Sequence, residues 1–436
     1  MTWIRHEQDT SGKFRLQERN LVLLLHPMSN LTEIYDALRG RGCELNAVVE
    51  IFEPAIEGHS SATDAIQGAL HGLPVVVKDM IALKGYRRGN GNPRDMADSS
   101  REVATASAIT SLLDAGVKIV ATSSLLEYAA GAQHPEIPET RNPIDSRLTA
   151  GGSSAGSAAL VGAGIVNLAI GTDTGGSIRI PAAYCGVIGL KPTSHAIALD
   201  LVTPLSPTLD HLGFISDSLD LIEAALIAAA SLPLTRSSAP AKIRLGIPKA
   251  LISDPRNNPE IIARFNEIIA NLPSDRFEII SIGSELLEDF RSAFLAIVLY
   301  EAWEIYGKKA KNEPGHFGGE TLRLFLLGEA ITRESYEESL RIRESSLLAL
   351  QEYMTAVDVL MMPTVPYFAP ETTPPIDSDL GSYESLYTEI FNVSGQPAIT
   401  LPARCSALPI GIQLVGDLNE DLYLLDIARI IEPYLQ

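Results

Sequence analysis

Gly151-Gly152-Ser153-Ser154-Ala155-Gly156-Ser157, followed by Gly171-Thr172-Asp173-Thr174-Gly175-Gly176-Ser177-Ile178-Arg179, is the stretch that decides the fold. Between these two Gly/Ser loops, Ser154 to Gly164 reads as a helix rich in small residues and Val166 to Ile170 as a short buried strand. The same alternation extends outward. Upstream, Leu73 to Val77 is an apolar run ending at Lys78-Asp79, Val103 to Ala115 reads as a helix stopped by Gly116, and Val117 to Ala121 as another strand. Downstream, Val187 to Leu190 is a further apolar run, and Ser216 to Ala230 reads as a helix with Ser216 as its N-cap. Apolar strands alternating with helices predict an α/β fold, with a large central mixed, twisted β-sheet covered on both faces by α-helices.

Leu31, Ile34, Tyr35 and Leu38 fall at helical spacing behind an Asn30…Glu33 capping pair. Ser231 to Lys242 is a Pro/Ser-rich connector, and Asn258-Pro259 opens a helix with proline at its first position. Residues 285–355 are helix-rich and charged, which suggests an insertion or lid outside the sheet. Val357 to Met361, Ala398 to Leu401 and Gly411 to Val415 return to strand-like runs, and Glu420 to Glu432 closes the chain as a helix. The expectation is one domain over 1–436: a core of about 20–230, a connector at 231–242, a helix-rich insertion of about 255–355, and core strands and helix at 356–436.

Bulk properties narrow the function. A net charge of −20 over 436 residues lacks the basic face that nucleic acid requires, and it disfavours an anionic membrane surface. Three cysteines, none in a CxxC, fit a reducing compartment, so cytoplasm is the default. Met1 to Gln17 shows no apolar signal-peptide run. Eight histidines include no HxH or HExxH pair, so no metal ligand set is visible.

The two loops are where chemistry concentrates. Successive N–H groups of a glycine-rich loop converge on one point, as an anionic tetrahedral intermediate requires, although such loops also serve as ordinary turns. Phosphate binding is disfavoured, because no GxxxxGK[ST] string exists and Asp173 would repel phosphate. Ser177 closes the loop as a candidate nucleophile and needs a base. His134, His195 and His211 are the nearest histidines in sequence and read as packing or surface residues. Lys78 is the other candidate, at the end of an apolar strand where desolvation lowers an amine pKa. Holding an unperturbed lysine neutral at pH 7 costs about 4–5 kcal/mol. Most lysines at strand ends are solvated, so spacing alone does not choose it.

The run from Gly151 through Ser177 to Tyr184-Cys185-Gly186-Val187-Ile188-Gly189-Leu190-Lys191-Pro192-Thr193 resembles the signature of the amidase signature family. Gly72-Leu73-Pro74-Val75-Val76-Val77-Lys78-Asp79 resembles that family's lysine strand. Glu127-Tyr128-Ala129-Ala130-Gly131, Thr140-Arg141-Asn142-Pro143 and Pro397-Ala398-Ile399-Thr400-Leu401-Pro402 match its landmarks in order. The resemblance implies an amidase-signature fold and a Ser–cis-Ser–Lys triad. In it Ser177 is the nucleophile, Ser153 the bridging serine after a cis bond from Gly152, and Lys78 the base. It implies an oxyanion hole from the N–H groups of Thr174, Gly175, Gly176 and Ser177, with Ser154, Thr172, Asp173 and Arg179 ordering the loops. Ala155 replaces a frequent glycine, and Ser206 to Gly213 keeps a family-like pattern in altered form.

The implied activity is hydrolysis of a small-molecule linear amide or ureido C–N bond through a seryl acyl-enzyme, releasing carboxylate and ammonia or amine. No metal or organic cofactor is required. Tyr128, and Arg343 before the Val357–Pro363 run, are candidates for contacting substrate, with a solvated helix arginine as the alternative for Arg343. The expected partner is the small amide itself, with no nucleic acid or membrane and a homodimer allowed. Two alternatives stand: a glutamine-hydrolysing A-type subunit of a tRNA-dependent amidotransferase, and a non-catalytic family member. The acidic charge speaks against the first, the intact Lys78, Ser153 and Ser177 against the second.

Overall fold

Asn30 caps the helix Leu31–Ala37 as its spacing predicts: its side chain accepts from the Glu33 N–H at 2.9 Å and donates to the Glu33 carboxylate. The computed structural model describes residues 30–58, 68–98, 100–283, 285–375 and 378–436. The reading of Met1 to Gln17 lies outside them.

Eleven strands form one sheet among the described residues: β1 (Val48–Ile56), β2 (Pro74–Lys78), β3 (Lys118–Ser123), β4 (Leu168–Asp173), β5 (Ile188–Lys191), β6 (His211–Ser216), β7 (Ile243–Pro248), β8 (Phe277–Ile282), β9 (Val359–Pro363), β10 (Ala398–Cys405) and β11 (Leu408–Val415). Their order is β1-β3-β2-β4-β6-β5-β10-β11-β9-β7-β8. The sheet is mixed. β2 runs parallel to both β3 and β4, whereas β6 is antiparallel to β4 and β5. Central strands such as β4 and β5 are buried at every position, which is why they read as short apolar runs rather than alternations.

Four strands carried no sequence expectation: β1, β6, β7 and β8. β1 and β8 are the sheet edges, half exposed, and β1 contains Pro54 and register shifts, so neither shows the apolar run of a central strand. β8 also corrects the segment 255–355, which holds a strand of the main sheet, parallel to β7, besides its helices. Two helix starts move. Residues 102–106 bond back to the 82–86 backbone (Gly85 N–H to Glu102 O, Ala106 N–H to Ala82 O), so the helix expected from Val103 spans Ser107–Asp114. Ser216 ends β6, and Ser218 caps the helix Leu219–Ala229 in its place. Asn258 caps Pro259–Asn271 as expected, and Glu285–Asn312 and Arg333–Ala356 form the long helices beyond β8.

Parallel pairing brings the carboxyl ends of β2 and β4 side by side, with Val77 opposite Ile170. Lys78 and Thr172-Asp173 therefore emerge at the same edge, where open α/β sheets collect ligands. The helix Ala155–Gly162 buries Ala155 through Val161 completely. Its small residues allow the close approach: a Cβ on Gly156 would lie 2.4 Å from the Ala47 carbonyl and 2.5 Å from Ser124 N.

Candidate active site

Lys78 is fully buried, and its Nζ lies 2.8 Å from Ser153 Oγ and 2.8 Å from Thr172 Oγ1. The apolar β2 strand holds the side chain away from water, and burial pulls its amine from the ordinary lysine value down to about 7. The negative charges of Asp173 and Asp210 oppose that pull. The Thr172 hydroxyl donates to Met80 Sδ at 3.3 Å. Thioether sulfur accepts and cannot donate, so Thr172 accepts from Lys78, and the amine's other close polar contact is the Ser153 hydroxyl. The Gly152–Ser153 peptide bond is cis.

The second loop is tied to the first. Ser154 N–H donates to Ser177 O at 3.0 Å, and the Ser154 hydroxyl donates to Thr172 O at 3.1 Å. Asp173 organises the turn. Its carboxylate accepts from Gly176 N–H (2.8 Å), Ile178 N–H (3.1 Å) and, bidentately, from Arg179 (2.9 and 3.0 Å). Arg179 is fully buried and also donates to Thr388 O, Gln413 Oε1 and Asn392 Oδ1. Burial alone would raise the Asp173 carboxyl, but the Arg179 guanidinium and the Asn392 amide outweigh it and hold it well below the usual range.

Gly176 sits at φ 137°, and a Cβ there would meet Thr388 Oγ1 at 2.3 Å and Ile180 Cδ1 at 2.7 Å. Gly176→Ala is therefore expected to displace the loop, costing about 1–3 kcal/mol of stability and most of the activity, as thermal denaturation and turnover would read.

Of the four amides expected to face an oxyanion, that of Gly176 is already held by Asp173. Those of Thr174, Gly175 and Ser177 have no hydrogen-bond partner among the described residues. Ser177 is half-buried and meets the first loop through its carbonyl, which accepts from Ser154 N–H; among the described residues no hydrogen bond joins the Ser177 and Ser153 hydroxyls. Thr174 donates through its hydroxyl to Asp210 Oδ1 at 2.5 Å, and Asp210 Oδ2 accepts from Leu205 and Ser206 N–H. Desolvation pushes the Asp210 carboxyl up to about 6 against these bonds. A cleft of about 360 Å³ opens beside this pair, with Thr172, Thr174 and Asp210 in its lining.

Sequence reading missed Asp210, Met80, Asn392, Thr388 and Gln413. The altered Ser206–Gly213 pattern was a signal for Asp210. The last three stand more than two hundred residues from Arg179, and no local signal marks them.

Two candidates for substrate contact lie elsewhere. Tyr128 is buried, with its hydroxyl donated to Asp95 Oδ2 (2.5 Å) and its ring against Tyr306, Phe317 and Phe325. It packs the helical segment onto the core and does not line the cleft. Arg343 lies within Arg333–Ala356 near Glu301 and Tyr336, and does not line the cleft either. It is not the solvated arginine of the alternative reading, since its Nε is buried without a partner among the described residues and burial lowers its pKa. His134 and His211 are buried, and His195 is exposed at the cleft rim.

A family model described as Amidase matches residues 31–425. The A-type subunit of the glutamyl-tRNA(Gln) amidotransferase of Neisseria meningitidis serogroup A / serotype 4A is 27% identical over 448 residues, covering 91% of this chain and 92% of the relative. Its namesake from Symbiobacterium thermophilum is 29% identical over 425 residues, covering 86% and 85%. Among solved structures, one described as an amidase superposes with a TM-score of 0.81 at 28% identity, over 93% of this chain and 95% of that one. A 6-aminohexanoate cyclic dimer hydrolase shares the fold with a TM-score of 0.81 at 22% identity, over 93% and 92%. A match of that length on that sheet leaves one kinship: the chain belongs to the Amidase family and is an amidohydrolase acting on C–N bonds.

Proposed function

We propose that this chain hydrolyses the C–N bond of a small-molecule linear amide or ureido compound through an acyl-enzyme on Ser177, with Ser153 as proton relay and Lys78 as base. The observation that carries the proposal is the 2.8 Å contact between the buried Lys78 Nζ and Ser153 Oγ. At that distance the neutral amine is placed to take the Ser153 hydroxyl proton, and Ser153 Oγ in turn takes the proton from Ser177 as it attacks the carbonyl carbon. Negative charge builds on the carbonyl oxygen, and the free amides of Thr174, Gly175 and Ser177 supply donors for it. The Gly176 amide serves the loop instead, through Asp173. Lys78 then returns its proton by the same relay to the leaving nitrogen, since an amine departs poorly unprotonated. Water, activated in the same way, hydrolyses the ester to carboxylate. Ser154, Thr172, Asp173 and Arg179 position these groups.

The pH dependence follows in sign. Below about 7 Lys78 carries a proton and cannot accept another; above it the amine is free. The ratio kcat/KM is expected to rise with unit slope on the acid side, bend near pH 7 and stay level above, as a pH–rate profile would record. A profile flat from pH 5 to 9 would point to another base.

The relatives' names support a second reading, in which glutamine is the amide and a partner takes the ammonia. Ammonia release across primary amides, ureido acids and glutamine separates the two, and copurification tests for partners. Turnover of glutamine alone, together with copurifying proteins, would replace the free-standing amidase. Intact Lys78–Ser153 geometry counts against a non-catalytic role. The cytoplasm is the proposed location, supported by three free cysteines. Among the described residues no helix is long and apolar enough to cross a membrane.

A further inference from the structure

The cleft beside the nucleophile loop has apolar walls from Met80, Leu199, Val202 and Pro204, and a polar end at Thr172, Thr174, Asp210 and His211. The same threonines touch the proposed machinery, Thr172 through Lys78 and Thr174 through its backbone amide. The wall at 203–208 is fixed from the long helix: Tyr306 donates to Pro204 O, and Glu301 accepts from the Ser206 hydroxyl and the Thr208 N–H. The cleft is thus built, not a gap between mobile loops.

Its polar end is rich in acceptors. His211 is 3% exposed, and its Nδ1 lies 2.7 Å from Leu209 O. A carbonyl only accepts, so the ring proton sits on Nδ1 and Nε2 carries the bare lone pair. Nε2 is buried and has no partner among the described residues. Burial and the nearby charges of Lys191 and Arg179 keep the ring neutral, so Nε2 stays an acceptor. Asp210 accepts three hydrogen bonds, and a carboxylate has about four such positions. Among the described residues no lysine or arginine lines the cleft.

We infer that this cleft is a specificity subsite for an N–H donor on the substrate, an ammonium or a carboxamide on a short aliphatic arm that lies along the apolar wall. The inference rests on the amidase reading for its place in the reaction, but not for its test. A buried acceptor without a donor is unfavourable, and an N–H group from the substrate satisfies His211 while its arm covers Leu199 and Val202. A carboxylate finds no lysine or arginine there among the described residues and meets Asp210.

The test measures binding of butylammonium, butyramide and butyrate to full-length Ser177→Ala protein by ligand-observed NMR, with His211→Leu and Leu199→Trp added singly to that background. At least one N–H ligand is expected to bind about tenfold or more tightly than butyrate, and the tighter of the two identifies the donor. Both substitutions should reduce that preference to about twofold or less, the first by removing Nε2 and the second by filling the cleft. Should His211→Leu fail to fold, Leu199→Trp decides alone, since it leaves the histidine in place. Equal binding of butyrate, no binding by either N–H ligand, or a preference that survives substitution overturns the subsite. Failure of the amidase reading shows separately, as a wild-type protein whose Ser177 does not react with a fluorophosphonate.

Discussion

Ser177→Ala is expected to lose amide hydrolysis by a factor on the order of 10⁴ to 10⁶ while folding normally. The substitution removes only a hydroxyl on a half-buried side chain. The Ser177 contact that ties the two loops, its carbonyl accepting from Ser154 N–H, belongs to the backbone and survives. The loop amides also survive, so any residual acceleration reports substrate binding and the proposed oxyanion donors. Steady-state turnover beside a thermal melt makes the comparison. An unchanged melting temperature with more than roughly a tenth of wild-type turnover would be incompatible with Ser177 as nucleophile.

Asp173→Ala is expected to be the most damaging single change to stability near the site, costing about 3–5 kcal/mol. It leaves Arg179 charged in a fully buried position with only neutral acceptors at Thr388, Gln413 and Asn392. It also takes the acceptor from Gly176 and Ile178 N–H, which set the course of the loop into Ser177. Activity should fall with stability, because the proposed oxyanion donors belong to the same turn. Urea denaturation of Asp173→Ala, Arg179→Met and the double variant apportions the effect. The double variant should recover part of the loss, since no uncompensated charge remains. A wild-type-like midpoint for Asp173→Ala would mean that the pair does not hold the loop.

Much of this architecture was legible in the residues. Asn30 and Asn258 cap helices through bonds spanning two or three residues, and such bonds leave their mark in adjacent sequence. β2, β3, β4 and β5 are buried on both faces and stand out as short apolar runs. The edge strands β1 and β8 do not, because half-exposed positions admit polar residues and their apolar pattern is diluted. The helix expected from Val103 began too early for a related reason. Its first residues satisfy their backbone with the 82–86 segment, a choice set by packing rather than by propensity.

By itself the sequence determined that Lys78 ends a buried strand and that two glycine-rich loops present Ser153 and Ser177. Only the folded chain decided that Lys78 meets Ser153, that Asp173 takes the Gly176 amide, that Asp210 holds Thr174, and that Tyr128 and Arg343 turn to other neighbours. The reason is one of range. Burial patterns and caps act over a few residues and are written locally, whereas a hydrogen bond between residues dozens to hundreds of positions apart exists only once the sheet order has brought its two ends together.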